Sequence, residues 1–356
     1  MTTRRGFLAS LLAAGAAPHV GWASVGNPAF LAAAREKDGS FALYGLSGTG
    51  SATFRVPMPA RGHAGAGHPR RAEAVAFARR PGTFALVLDC ARGEILHRLT
   101  PPVGRQFNGH GVFAEGGALL FTSEQASDTS EGAIGCWDVN AGYARIGDMP
   151  TFGIGPHDLR LMPDGEALIV ANGGIATDPS DRSKLNIPTM QPNLTYLNLS
   201  GAVLEQVEME ADLRRNSIRH LAVRTDGLVG FAMQWQGEPG VAPPLLGLHH
   251  QGAAPVLALA PLADERAMQG YAGSVAFSGD GSELAITSPR GGRLHRFSDE
   301  GVFLGVMPRS DICGLATLGR GYLASDGLGG LFSVSPERVD ALNRFDCAWD
   351  NHIVAL

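Results

Sequence analysis

Lysine is nearly missing from this chain: among 356 residues only Lys37 and Lys184 occur. Lysine-based covalent chemistry therefore has few candidates. Charged residues make up 18% of the sequence and aromatics 7%, and 29 basic against 34 acidic residues leave a formal net charge of −5. With no basic run in the body of the chain, sequence-independent nucleic-acid binding by a charged face finds little support. The four cysteines, Cys90, Cys136, Cys313 and Cys347, form no Cys-x-x-Cys pair and no Cys-x-x-Cys-His, so covalent c-type haem is ruled out. Buried free thiols are the expectation, with a Cys313–Cys347 disulfide as the alternative. His-Glu-x-x-His, Gly-x-Ser-x-Gly and Gly-x-x-x-x-Gly-Lys are all absent. Gly62-His-Ala-Gly-Ala-Gly has the glycines of a dinucleotide loop but no helical pattern behind it, so no nucleotide cofactor is expected. No stretch approaches about 18 consecutive apolar residues, and no membrane span is expected.

What the chain has in quantity is glycine. With 48 Gly and 22 Pro, it is punctuated too often for long helices, while 44% hydrophobic residues suffice for a sizeable core. At the start, Thr3-Arg4-Arg5-Gly6-Phe7-Leu8 precedes a short apolar stretch, and Gly21-Trp22-Ala23 offers small residues at a cleavage site. Twin arginine followed by Phe-Leu resembles the bacterial twin-arginine export signal. Residues 1–23 are therefore expected to be a signal peptide, and the mature protein periplasmic.

The body carries an internal repeat: an apolar alternating run, a Gly-containing turn, then a second apolar run. Examples are His157-Asp-Leu-Arg-Leu-Met-Pro-Asp-Gly with Ala167-Leu-Ile-Val-Ala, and His220-Leu-Ala-Val-Arg-Thr-Asp-Gly with Leu228-Val-Gly-Phe-Ala. Asp-Gly between alternating runs is a hairpin signal. The repeats start at His63, His110, His157, His220, Ser274 and Gly314, at spacings that suit four-stranded propeller blades of about 40–50 residues with insertions. The longest insertion, 173–193, reads as a loop of the fourth blade. The N-terminal strands lack an inner strand, and His352-Ile-Val-Ala-Leu can supply one. The expected fold of residues 24–356 is thus an all-β, seven-bladed β-propeller closed by pairing of N- and C-terminal strands.

Aligned on their turn glycines, the inner strands place His352, His63, His110, His157 and His220 in one slot of five consecutive blades. Imidazoles converging from several strands suit a transition metal ion, iron or copper. Arg61, Asn108 and Asp350, two residues earlier, are expected to form a polar layer beside them. Glu124, Asn172, Gln236 and Arg290, at the ends of second strands, are expected near the same mouth as further ligand-contacting groups. Histidines repeated in a propeller can instead be structural, as in WD-type blades, and both readings stand at this point. For His68, His97, His249, His250 and His295, outside the slot, a surface or turn position is expected.

Several segments in fixed order resemble a bacterial family, the domain-of-unknown-function 1513 proteins. They are Phe107-Asn-Gly-His-Gly-Val-Phe, Gly153-Ile-Gly-Pro-His-Asp-Leu, Ala171-Asn-Gly-Gly-Ile, Ser217-Ile-Arg-His-Leu, Tyr271-Ala-Gly-Ser-Val-Ala-Phe, Thr287-Ser-Pro-Arg-Gly and Trp349-Asp-Asn-His. The resemblance spans nearly the whole mature chain. It implies twin-arginine export and an association with imelysin-type and di-haem oxidoreductase-type proteins in iron acquisition, a process rather than a reaction. Ala126, after Ser123-Glu124-Gln125, departs from the family's more acidic or amide-rich stretch, which counts against a role for Glu124. Three functions follow: a metal-binding propeller in iron or other metal acquisition, a metal-dependent oxidoreductase, or a metal-free interaction scaffold with structural histidines.

Overall fold

The structure is a computed structural model that describes residues 20–79 and 82–356. The twin-arginine motif lies outside the described residues. The chain forms seven antiparallel four-stranded sheets, the blades of a propeller. Their innermost strands are β28 (Cys347–Ala355), β4 (Gly62–Gly67), β8 (Arg105–Ala114), β12 (Pro156–Leu161), β16 (Asn216–Val223), β20 (Ser274–Phe277) and β24 (Ile312–Leu318), each packed against the next around the ring. The first blade is composite: β28 pairs with β1 (Phe30–Glu36) from the other end of the chain, followed by β2 (Phe41–Leu46) and β3 (Ala52–Met58). This pairing closes the ring, as expected, and gives the first blade its inner strand.

Local sequence explains the hairpins. Gly227 sits at φ 89°, left-handed backbone that glycine adopts without Cβ strain, and Asp226 beside it accepts the Leu228 N–H at 3.2 Å. The same Asp-Gly device turns β12 into β13 (Ala167–Asn172), where Asp164 accepts the Glu166 N–H.

Apolar burial lies between blades rather than at the centre of the ring. Each pair of neighbouring blades shares one hydrophobic cluster. Between the fourth and fifth, for example, Ile169 and Tyr196 meet Ile218, Val229 and Phe231. Burying a Phe side chain of this kind stabilises by roughly 1.5–3 kcal/mol. The axis is therefore free to be polar.

Among the described residues no helix is long and apolar enough to cross a membrane; the longest, α1 (Leu262–Ala267), has six residues. All four cysteines are free, three of them buried. Trp22, inside the expected cleavage site, packs on Phe54 and donates its indole N–H to the His68 carbonyl at 2.9 Å.

Candidate metal centre

Five inner strands carry a break in register where the histidines stand. The pairing skips from Gly62 to Gly65, from Phe107 to Gly111, from Pro156 to Leu159, from Ile218 to His220, and across residues 350–352 opposite Ala32 and Ala34. A β-bulge leaves residues unpaired and re-aims their side chains. Here His63, His110, His157 and His352 fall inside the breaks, His220 resumes the pairing opposite Ala232 just after one, and the imidazoles meet around the axis. At Gly109 the backbone takes φ 97°, and a Cβ there would come within 2.5 Å of His63 Cδ2. Only glycine lets the third blade pass so close to its neighbour's histidine.

All five histidines are buried and their rings crowd together. Centroids are 4.7 Å apart for His63 and His352, 4.8 Å for His110 and His157, and 5.0 Å for His110 and His352. The ligating nitrogens of His63, His110, His157 and His352 all lie within 4.8 Å of one another. A tetrahedral ion with bonds of about 2.0–2.1 Å holds its nitrogens about 3.3–3.4 Å apart, so modest ring rotations would close the set. His220 stands just beside, its centroid 4.6 Å from His352 and 4.8 Å from His157. Blade six adds a hydroxyl, Ser274 Oγ, 3.3 Å from His352 Nδ1.

The chemistry of these rings suits ligation. Burial, together with neighbouring imidazoles, holds His220 and His352 well below the usual histidine range, so both are neutral at pH 7. The neutral ring is the form that offers a lone pair to a cation. His110 Nε2, His220 Nδ1 and His352 Nε2 are buried without a hydrogen-bond partner. Orphaned buried nitrogens are costly unless something fills the space between them. A transition metal fits this donor set.

Asp158 is the residue that repeat alignment did not single out. Its carboxylate is buried, 3.2 Å from His110 Nδ1, and accepts the Leu221 N–H at 3.0 Å and an Arg160 guanidinium N–H at 3.2 Å. Although burial opposes its charge, Arg160 and His110 hold the carboxyl well below the usual range. An anionic Asp158 fixes the His110 proton on Nδ1 and leaves Nε2 as the ligating atom. Adjacent residues of a regular strand face opposite sides, which sets Asp158 away from His157's side. The bulge removes that alternation. The adjacent His157-Asp158 pair, with a bulge, was the available signal.

The other expected contacts divide. Asn108 is fully buried, and neither of its amide atoms has a partner. Arg61 Nε donates to Asp350 Oδ2 at 2.5 Å, linking the first two blades. Gln236 accepts the Lys184 ammonium, and Arg290 stacks over Tyr271, 4.5 Å from its ring centroid; Lys184 and Tyr271 both line a cavity on this side of the ring. Glu124 and Asn172 instead turn into their own blades. Glu124 takes a two-pronged contact from Arg145 at 2.8 and 3.0 Å, and Asn172 donates to the Thr151 carbonyl and to Asn193. The pleat at those positions points between strands rather than toward the mouth.

Of the histidines outside the slot, three are buried rather than at the surface. His249 contacts Tyr196 Oη at 2.8 Å and the Ala253 carbonyl at 2.9 Å, which occupies both ring nitrogens. His68 serves a turn, accepting the Arg70 and Arg71 N–H groups on Nδ1. His295 is enclosed by Phe297 and Phe303, and burial pushes it down to about 4. Apolar neighbours on the adjoining strand, not visible as a motif, draw it inside.

The cavity that adjoins the histidines holds about 230 Å³ and reaches His63, His157 and His220. Beyond the rings, a space of about 20 Å³, enough for one water molecule, is bounded by Asp158, His110, His220 and Ser274.

Residues 56–356 match the model of a family described as protein of unknown function, DUF1513. No curated protein matches the chain. Among solved structures it is similar to hydrazine synthase of Kuenenia stuttgartiensis, with a TM-score of 0.61 at 14% identity over 89% of this chain and 96% of that one. At that identity the likeness concerns the fold alone.

Proposed function

We propose that this chain, which belongs to the DUF1513 family, is a periplasmic propeller that binds a transition metal on its axis and takes part in the acquisition of iron or another metal. The observation that carries this reading is the convergence of four buried imidazoles, with His220 adjoining and Asp158 backing His110. In it, His63, His110, His157 and His352 would hold iron or copper, and the ion would supply Lewis-acid or electron-transfer capacity. The chain's own residues keep the rings neutral, fix the His110 tautomer and shield the centre between blades. Imelysin-type and di-haem oxidoreductase-type proteins are the partners this reading names.

The test is metal analysis of the purified mature protein and of its His110→Ala and His157→Ala variants. One equivalent of metal in the wild type, and less than a tenth in either variant, is the expected outcome. Stoichiometric metal unaffected by both substitutions would sink the assignment. A second reading, a metal-dependent oxidoreductase, is favoured by the cavity that opens onto His63, His157 and His220. It requires a redox-active centre, and a redox-inert ion would remove it.

A further inference from the structure

The cavity above the histidines has a sign. Arg79, Arg182, Lys184 and Arg219 line it, Tyr271 forms part of its wall, and Arg290 lies over that ring. No aspartate or glutamate lines it. Among the described residues, no carboxylate comes within ion-pair distance of any of these five cations, in a chain whose net charge is negative. Elsewhere in the molecule several half-buried arginines have an acidic partner: Arg145 has Glu124, Arg160 has Asp158 and Arg296 has Glu283; Arg79 and Arg219, half-buried at this mouth, have none among the described residues. Arg182, Lys184 and Arg290 stand more exposed around the same mouth.

The segment that carries two of the cations is held in place. Lys184 and Arg182 come from the long fourth-blade insertion, which is pinned by a Thr177–Lys184 bridge and by Asn186, whose side chain bonds the backbone at Ala176 and Gly174. Thr177 N–H is further anchored on Ser130 of the third blade. Gln236 fixes the Lys184 ammonium over the cavity. Arg219 Nε is buried with no hydrogen-bond partner. Burial and the nearby Arg219 and Arg290 lower Lys184 from its ordinary range, as expected of like charges kept together without a counter-charge.

We infer that this cavity is a binding site for a small organic polyanion carrying two or more carboxylates, seated between the cationic mouth and the histidine floor. The placement of the cations calls for several anionic groups. Arg79 belongs to the second blade, Arg182 and Lys184 to the fourth, Arg219 to the fifth and Arg290 to the sixth. A single compact oxyanion reaches one side of such a mouth, whereas separated carboxylates reach both. Guanidinium groups favour planar, paired contact with carboxylates. The size, about 230 Å³, suits a small acid of this kind. The proposal deepens the metal reading, since such an anion sits beside the centre, yet it stands on residues that the metal does not need.

The test uses the full mature chain stripped of metal by a chelator and dialysed. Tricarballylate, a tricarboxylate that chelates metals weakly, is titrated by calorimetry at low salt, with inorganic phosphate and glycerol titrated in parallel. The expected result is saturable tricarballylate binding that weakens at least tenfold in Lys184→Met and in Arg219→Gln and falls with added salt, with no glycerol binding. Lys184→Met lies in the insertion loop, so it remains informative if Arg219→Gln fails to fold. No tricarballylate binding, or binding unchanged in the folded variants, overturns the proposal. Phosphate binding without tricarballylate binding overturns the polycarboxylate assignment. Because the protein is metal-free throughout, loss of the metal assignment would leave this outcome untouched, and the reverse holds too.

Discussion

Replacing Asp158 by Asn tests the centre at its most specific point. Asp158 Oδ1 faces His110 Nδ1, while Oδ2 takes N–H groups from both Leu221 and Arg160. An asparagine has one acceptor oxygen, and two donors compete for it on the Leu221 and Arg160 side. The amide NH₂ is then left facing His110, where it can only donate. His110 must answer by accepting on Nδ1, which moves its own proton to Nε2. That nitrogen now carries a hydrogen where it had offered a lone pair. Restoring the ligating tautomer means opposing two donors in a buried site, at a cost of about 1–3 kcal/mol. The expected loss of metal affinity is therefore about 10–100-fold, or roughly 1.4–2.7 kcal/mol. Competition titration against a chromophoric chelator gives the affinity, and histidine-selective ¹⁵N NMR of the metal-free protein gives the tautomer. In His110→Ala, adding Asp158→Asn should cost little more, because both changes act through one ring. Wild-type affinity in Asp158→Asn, or an unmoved His110 tautomer, would refute the reasoning.

Two other outcomes follow from sites described above or away from the axis. Gly109→Ala places a Cβ on left-handed backbone and within 2.5 Å of the His63 ring; it should cost about 1–3 kcal/mol in urea unfolding and also weaken metal binding, and a variant with wild-type stability and affinity would contradict the role given to that bulge. Glu265 in α1 is buried, accepts the Ala260 N–H on Oε2 and has no partner at Oε1, and burial pushes its carboxyl up to about 7. Because the folded state holds this proton more tightly than the unfolded chain, its contribution is full below about pH 4.5 and is lost as pH rises through 7, a change of roughly 3 kcal/mol. Glu265→Gln removes that dependence, so the variant should exceed the wild type in stability at pH 8 and match it near pH 4; parallel unfolding curves across that range would exclude the effect.

Much of the ring was legible in the sequence because hairpin turns and alternating strands repeat. His352-Ile-Val-Ala-Leu announced itself as the missing inner strand by its similarity to the other slots, and β28 occupies that place. The five slot histidines could be named because each opens its own repeat, and the structure brings their rings together. Asp158 could not, since strict alternation sends it to the opposite face and only a bulge reverses that. Glu124 and Asn172 were misplaced for the complementary reason: the end of a strand says which rim a residue is near, but pleat and twist decide where its side chain points. The cationic mouth was also hidden. Arg79, Arg182, Lys184, Arg219 and Arg290 are scattered along more than two hundred residues, and only blade order makes them neighbours.

The composite first blade has a consequence for the order of events during biogenesis. His352 lies on β28, the strand that seals the circle. A chain in which β28 has not docked on β1 can present four of the imidazoles. It cannot present the fifth, nor the wall that β28 provides. Pairing of β28 with β1 is a long-range closure, joining segments more than three hundred residues apart. The set of five imidazoles is thus complete only once the ring is closed.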